Sequence, residues 1–178
     1  MESLRGKLLL AGPALKDPNF ERTVVLITEH NEDGAMGLVL NRPSEASVAD
    51  AVPDLTWVAE GGDAVFVGGP VAPNGVIVLA EWDDPSQAVV LVEPDLGFVP
   101  GDAEDTGAVR RARVYAGHAG WGPGQLEAEL EEEAWIVEAP QREELFSDEP
   151  EGLWSAVLRR MGREFALLST MPPDPSLN

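Results

Sequence analysis

Arg22-Thr23-Val24-Val25-Leu26-Ile27-Thr28-Glu29, then His30-Asn31-Glu32-Asp33-Gly34, then Ala35-Met36-Gly37-Leu38-Val39-Leu40-Asn41 is the stretch that decides the fold. The first run is rich in β-branched residues and apolar at both odd and even positions. As a strand it offers apolar side chains to both faces of a sheet. The middle five residues have turn composition, with Gly34 placed for positive φ. The third run again reads as a strand, so the segment predicts a β-hairpin. Asn41-Arg42-Pro43 ends it, because Pro cannot donate to a central ladder.

Similar signals extend in both directions. Ser47 can cap a short helix over Val48-Ala49-Asp50-Ala51-Val52, which Pro53 stops. Ala64-Val65-Phe66-Val67 reads as a strand leaving through Gly68-Gly69-Pro70-Val71. Pro73-Asn74-Gly75 reads as a turn into a strand over Val76-Ile77-Val78-Leu79-Ala80. Ala88 to Val92 is another strand, Glu93 to Gly107 a loop, and Arg111 to Gly117 a strand leading into a glycine-rich turn. Pro123 and Gly124 open an acidic helix carrying Leu126 and Leu130 on one side. Ala134-Trp135-Ile136-Val137 is a returning strand. Asp148 is placed to cap a helix whose stripe is Leu153, Trp154, Val157, Leu158 and Met161, with Gly162 as its stop. The tail from Met171 to Asn178 is Pro-rich.

Strands that are apolar on both faces need cover on both faces, and few helices are available to give it. The expected architecture is α+β: a strongly curved, mainly antiparallel or bifurcated sheet with partial barrel closure, flanked by a few helices. Val24, Leu26, Val39, Val65, Ile77 and Val90 are the expected core. The 178 residues fit one domain, residues 1–178, ordered from about 4 to 170.

Charge excludes several functions. With 32 acidic and 12 basic residues the net charge is −20, a surface that repels phosphate backbones. The short basic clusters Arg110-Arg111-Arg113 and Arg159-Arg160-Arg163 lie among carboxylates, so no direct nucleic-acid binding is expected. With no cysteine, disulfides, thiolate nucleophiles and Cys-based zinc sites are excluded. No apolar run approaches the ~20 residues of a membrane span, and Lys7-Leu8-Leu9-Leu10-Ala11 is too short for a signal peptide. A cytoplasmic location is expected. No metal or cofactor is expected, since His30 and His118 lie on separate segments and neither has a ligand set beside it in sequence.

The order and spacing of several motifs resemble the YqgE/AlgH family of small bacterial proteins, also designated UPF0301 or DUF179. The residues that carry the resemblance are Asp17-Pro18-Asn19-Phe20-Glu21-Arg22, Glu29-His30-Asn31, Gly37 to Pro43, Gly68-Gly69-Pro70-Val71 and Gly120-Trp121-Gly122-Pro123-Gly124-Gln125-Leu126-Glu127. The resemblance covers roughly Gly6 to Gly162. It implies an α+β fold with a bifurcated or barrel-like sheet. It supplies no agreed catalytic residues. Through one relative's name it suggests an indirect role in transcriptional regulation. His118 stands where an aromatic residue is expected in many relatives.

Candidate ligand-binding residues follow from chemistry. Backbone N–H groups of Gly120, Trp121, Gly122 and Gly124, ahead of a helix, can form an anion-binding concavity, and equally a tight turn with Trp121 as a packing plug. Gly68 and Gly69 let a ligand, or another backbone, approach closely. Asn41 and Arg42 end a strand, where Arg can clamp an anion or form a structural pair. His118 is the one candidate general base beside the glycine segment. The leading expectation is a non-catalytic binding or regulatory module for a protein partner or a small anionic ligand. The alternative is a small hydrolase using His118 near Trp121.

Overall fold

The structure is a computed structural model that describes residues 2–171. The predicted Pro-rich tail, apart from Met171, lies outside the described residues. The hairpin forms as expected. β1 (Leu8–Ala11) pairs with β2 (Val24–Asn31), and β2 pairs with β3 (Gly34–Val39), all antiparallel. The turn narrows to Glu32 and Asp33, with Asn31 Oδ1 accepting the Asp33 N–H at 2.8 Å and Gly34 at φ 132°. Next come β4 (Pro43–Ser47) and α1 (Val48–Ala51), the latter capped by the Ser47 hydroxyl as predicted. β5 (Ala64–Val67) follows, then β6 (Val71–Trp82). The predicted Pro73-Asn74-Gly75 turn is instead an irregular stretch inside β6. There the register jumps from Val71 to Val76 and Ala72 takes φ 46°.

β7 (Val89–Glu93) and β8 (Leu96–Phe98) form a second hairpin, so the expected loop from Glu93 contains a strand. β9 (Val109–Trp121) is longer than predicted and absorbs most of the glycine segment. The remainder comprises α2 (Gln125–Glu131), β10 (Trp135–Glu138), α3 (Arg142–Leu145), α4 (Leu153–Arg160) and α5 (Arg163–Ser169). α4 starts after a 3-10 turn at Pro150–Gly152 rather than at an Asp148 cap.

The α+β class, the large antiparallel sheet and the scarcity of long helices are as expected. The ten strands run β10-β1-β2-β3-β9-β6-β8-β7, with β4 and β5 off this path. One pair, β5 with β9, is parallel. The expected closure and strong curling are not found: the path ends at β10 and β7, which do not pair. Double-sided apolarity is satisfied another way. One edge of β9 is shared, by β5 opposite Tyr115 and Ala116 and by β3 opposite Ala119 to Trp121.

The sheet therefore has two parts meeting at β9, and one core serves both. Leu8, Leu10, Val24, Leu26 and Leu38 from one part join Phe66, Leu79, Leu96 and Tyr115 from the other, capped by Leu153, Trp154, Val157 and Leu158 of α4. The far face of the first part packs Val25, Ile27, Val39 and Trp121 against Leu126 of α2. The far face of the second packs Val65, Val78 and Val114 against Val48 and the segment after it. Burial of these apolar side chains is worth roughly 1.5–3 kcal/mol apiece. Of the predicted core residues, Val24, Leu26, Val39 and Val65 are buried and Ile77 is partly buried. Val90 is not in the core. It is 38% exposed on the irregular edge strand β7, at φ 50°.

Candidate functional site

The meeting of the two sheet parts gathers several candidate residues, and it does so through their backbones. A Cβ on Gly69 would lie 2.2 Å from the His118 carbonyl carbon, and one on Gly68 would lie 2.3 Å from the Gly117 oxygen. Gly117 itself sits at φ 74°, and its Cβ would lie 2.4 Å from the Gly69 oxygen. Backbone hydrogen bonds knit the same place: Val39 N to Gly68 O, Gly68 N to Ala116 O, and Val67 N to Arg42 O, each at 2.8 Å.

Asn41 and Arg42 spend their side chains on the preceding loop. Asn41 Oδ1 accepts the Val24 N–H at 3.0 Å, and its Nδ2 donates to the Arg22 carbonyl at 2.9 Å. The Arg42 guanidinium donates to the carbonyls of Asn19 and Glu21 at 2.8 and 3.0 Å. Burial lowers the Arg42 pKa, against the raising influence of Glu21 and Asp17.

His118 and Trp121 leave β9 on opposite faces, because they are three residues apart in a stretch of regular register. Trp121 is 6% exposed, packs tilted against Phe20 and edge-to-face against Trp135, and donates its indole N–H to Glu129 at 3.1 Å. Trp135 donates to the same carboxylate at 2.9 Å. Among the described residues the His118 imidazole has no hydrogen-bond partner; the residue is half-buried, and Val71 lies opposite it in the ladder. Gly120 shares its face and would bring a Cβ to 3.5 Å from Val71.

Beyond Trp121 the chain turns at Gly122-Pro123-Gly124. The Gly122 N–H is taken by Gln125 Oε1 at 3.0 Å, and the Gln125 N–H returns to the Gly122 carbonyl at 3.1 Å. Gly124 holds φ 75°, the left-handed conformation that sets the start of α2.

Two groupings escape sequence reasoning. His30 and Glu127 lie 97 positions apart, yet His30 Nε2 meets Glu127 Oε1 at 2.7 Å. The Leu4 N–H donates to His30 Nδ1 at 3.0 Å, so Nε2 carries the proton and donates to the carboxylate. The hydrogen bond from His30 holds Glu127 below the usual carboxylate range. Three residues converge on Glu81: Arg142 at 2.9 Å, Arg110 at 3.2 Å and Arg111 at 3.4 Å. Burial pushes the Glu81 carboxyl up. Hydrogen bonds from Arg142, Arg110 and Arg111, with the Arg111 charge, outweigh burial and leave it below its ordinary value. No three potential metal ligands converge among the described residues. No described helix is long and apolar enough to cross a membrane.

A cleft lies on the far side of the second sheet part. Trp57 follows the 3-10 turn Pro53–Leu55, held by hydrogen bonds from Val58 and Ala59 to the Leu55 carbonyl at 3.0 and 3.1 Å. Opposite it runs the loop from Val99 to Ala108. This loop is tied to β6 by Val99 N to Val78 O at 2.9 Å and to the β6 exit by Asp83 N to Ala108 O at 2.7 Å. Midway, Thr106 donates to Gln87 Oε1 at 2.7 Å, and Gln87 donates to Asp84 at 3.0 Å.

Two cavities open between these walls and share Trp57, Pro100 and Ala103. One, of about 220 Å³, includes Trp82, Asp102 and Glu104; the other, of about 380 Å³, includes Asp54, Val76 and Val78. Trp82 is fixed by its own indole hydrogen bond to the Gly97 carbonyl at 3.1 Å. Trp57 lies outside every predicted strand and helix, so its place in the sequence marks no cleft.

Comparison with known proteins assigns the family. Residues 8–166 match the AlgH-like family, DUF179. A UPF0301 protein of Streptomyces coelicolor is 44% identical over 187 residues, covering 100% of this chain and 97% of that protein. A UPF0301 protein of Thermobifida fusca is 40% identical, covering 99% and 96%. Among solved structures, a Corynebacterium diphtheriae protein superposes with TM-score 0.86 at 27% identity, covering 96% of this chain and 93% of that one. The Pseudomonas aeruginosa AlgH protein superposes with TM-score 0.74 at 32% identity, covering 96% and 95%. The chain belongs to the AlgH-like UPF0301 family.

Proposed function

We propose that this AlgH-like family member is a non-catalytic binding module whose ligand is a small organic molecule held in the Trp57 cleft. The observation that carries this reading is the cleft itself. Its larger lobe of about 380 Å³ falls within the roughly 300–1,000 Å³ of small-molecule sites. Its walls combine an indole, apolar β6 side chains and a loop fixed at both ends. A catalytic reading at His118 lacks, among the described residues, a hydrogen-bond partner that would orient the imidazole. An anion reading at the glycine segment loses two of its amides, because the Gly122 N–H is bonded to Gln125 Oε1 and the Gln125 N–H to the Gly122 carbonyl.

The test is native mass spectrometry of the protein purified from its own host, followed by indole-detected NMR with the released compound. Recovery of a stoichiometric small molecule that shifts the Trp57 signal supports the reading. A compound that shifts only signals near His118 overturns it.

A second reading, a protein partner seated at the β9 junction, is favoured by one observation. Val67, Val71 and Val76, all exposed by 41–44%, surround Ala116 and His118 there. The candidate residues Gly68, Gly69, His118 and Gly120 would then shape that surface, with Asn41 and Arg42 supporting it from behind.

A further inference from the structure

We infer that the Trp57 cleft selects an organic cation, an alkylammonium carried on a small apolar body. This rests on the reading of the cleft as a ligand site and specifies the ligand's charge. Both lobes point the same way. The smaller carries Asp102 and Glu104, the larger carries Asp54, and neither has a Lys, Arg or His among its lining residues. The nearest arginine cluster is already engaged: Arg110 is held by Asp83 at 2.7 Å and by Glu81 at 3.2 Å. A carboxylate ligand would therefore meet three carboxylates and no compensating cation.

An ammonium meets two favourable partners instead. Carboxylates at the rim attract it, and the face of an indole attracts it through the ring quadrupole. Trp57 is suited to that role because it is only half-buried and lies between the two lobes. Trp82 is occupied by its hydrogen bond to Gly97 and forms a fixed wall. The apolar part of the ligand packs on Val76, Val78 and Val99 in the larger lobe. General attraction of cations to a chain of net charge −20 is a separate effect, spread over the surface and screened by salt.

The test is a titration of protein carrying ¹⁵N-labelled indoles, at about 150 mM salt, where surface attraction is screened beyond roughly 8 Å. The probes are n-hexylammonium, n-hexanol and n-hexanoate, which share a chain and differ in charge. The expected result is a saturable shift of the Trp57 indole with the ammonium, at least about tenfold weaker binding of the alcohol, and no saturation with the carboxylate. Asp102→Asn with Glu104→Gln, exposed positions that leave the core untouched, weakens ammonium binding about tenfold. Trp57→Ala abolishes ammonium binding, read in this variant at the Trp82 indole that lines the smaller lobe, at unchanged net charge, with thermal unfolding as the check that the variant is folded.

Equal binding of hexanol and hexylammonium overturns the charge preference and leaves the cleft as a neutral ligand site. Ammonium shifts that persist unchanged in Trp57→Ala overturn it as diffuse surface attraction. Failure of all three probes to shift Trp57 overturns both the preference and the cleft reading.

Discussion

Two glycines with the same torsion allow the β9 junction to be weighed directly. Gly117 has φ 74° and Gly124 has φ 75°, so alanine at either site carries the left-handed penalty. That penalty is about 1–2 kcal/mol, offset by about 0.4–1 kcal/mol from the stiffer unfolded chain. At Gly124 nothing lies within 4 Å of the added Cβ. Gly124→Ala should therefore cost about 1 kcal/mol, a fall in Tm of about 2–4 °C for a domain of this size.

At Gly117 the added Cβ meets the Gly69 oxygen at 2.4 Å and Pro73 Cα and the Val71 oxygen at 3.2 Å. All three are backbone atoms of β6 or of the link that joins it to β5, so relief requires moving the junction itself. That adds an overpacking cost of about 2 kcal/mol, for a total near 3 kcal/mol. The assay is urea unfolding of the two variants and the parent protein, read at unchanged m. If Gly117→Ala and Gly124→Ala lose equal stability within about 0.5 kcal/mol, the close backbone approach does not hold the two sheet parts together.

Three further outcomes are expected. Tyr115 is fully buried with its hydroxyl unpartnered among the described residues, and burial pushes its phenol pKa up. Tyr115→Phe should accordingly leave stability unchanged or raise it by about 1 kcal/mol, and a calorimetric Tm well below the parent would refute the lone hydroxyl. Glu81→Gln should cost about 2 kcal/mol at neutral pH. This is less than a fully orphaned charge costs, because Arg110, Arg111 and Arg142 keep Asp83, Glu143 and Asp95. The folded Glu81 carboxyl lies below its ordinary value, so its contribution is present above about pH 4.3 and fades as pH falls through the depressed value. The gap between parent and variant should close in acid and stay constant above pH 6, as read by denaturation at each pH. Duplex DNA should show no saturable binding near physiological salt, given the net charge of −20; a footprint with affinity tighter than about 10⁻⁷ M would refute that.

The sequence alone determined the pieces whose causes are local. β-Branched, apolar runs and turn chemistry located the β2–β3 hairpin, Ser47 the cap of α1, and Leu153, Trp154, Val157 and Leu158 the buried stripe of α4. Charge count and the absence of cysteine likewise bounded the chemistry without any coordinates. Double-sided apolarity stated that both faces needed cover, but it did not say how the cover is arranged. Curling and branching bury the same residues, and the choice rests on Gly68, Gly69 and Gly117, where backbones cross too closely for any side chain. Those glycines read equally well as a ligand approach, because a glycine reports only that space is needed and not what fills it. The His30–Glu127 pair, the arginines around Glu81 and the Trp57 cleft were beyond sequence reasoning for the same reason. Each depends on segments brought together by the sheet's order, and separation along the chain carries no trace of that order.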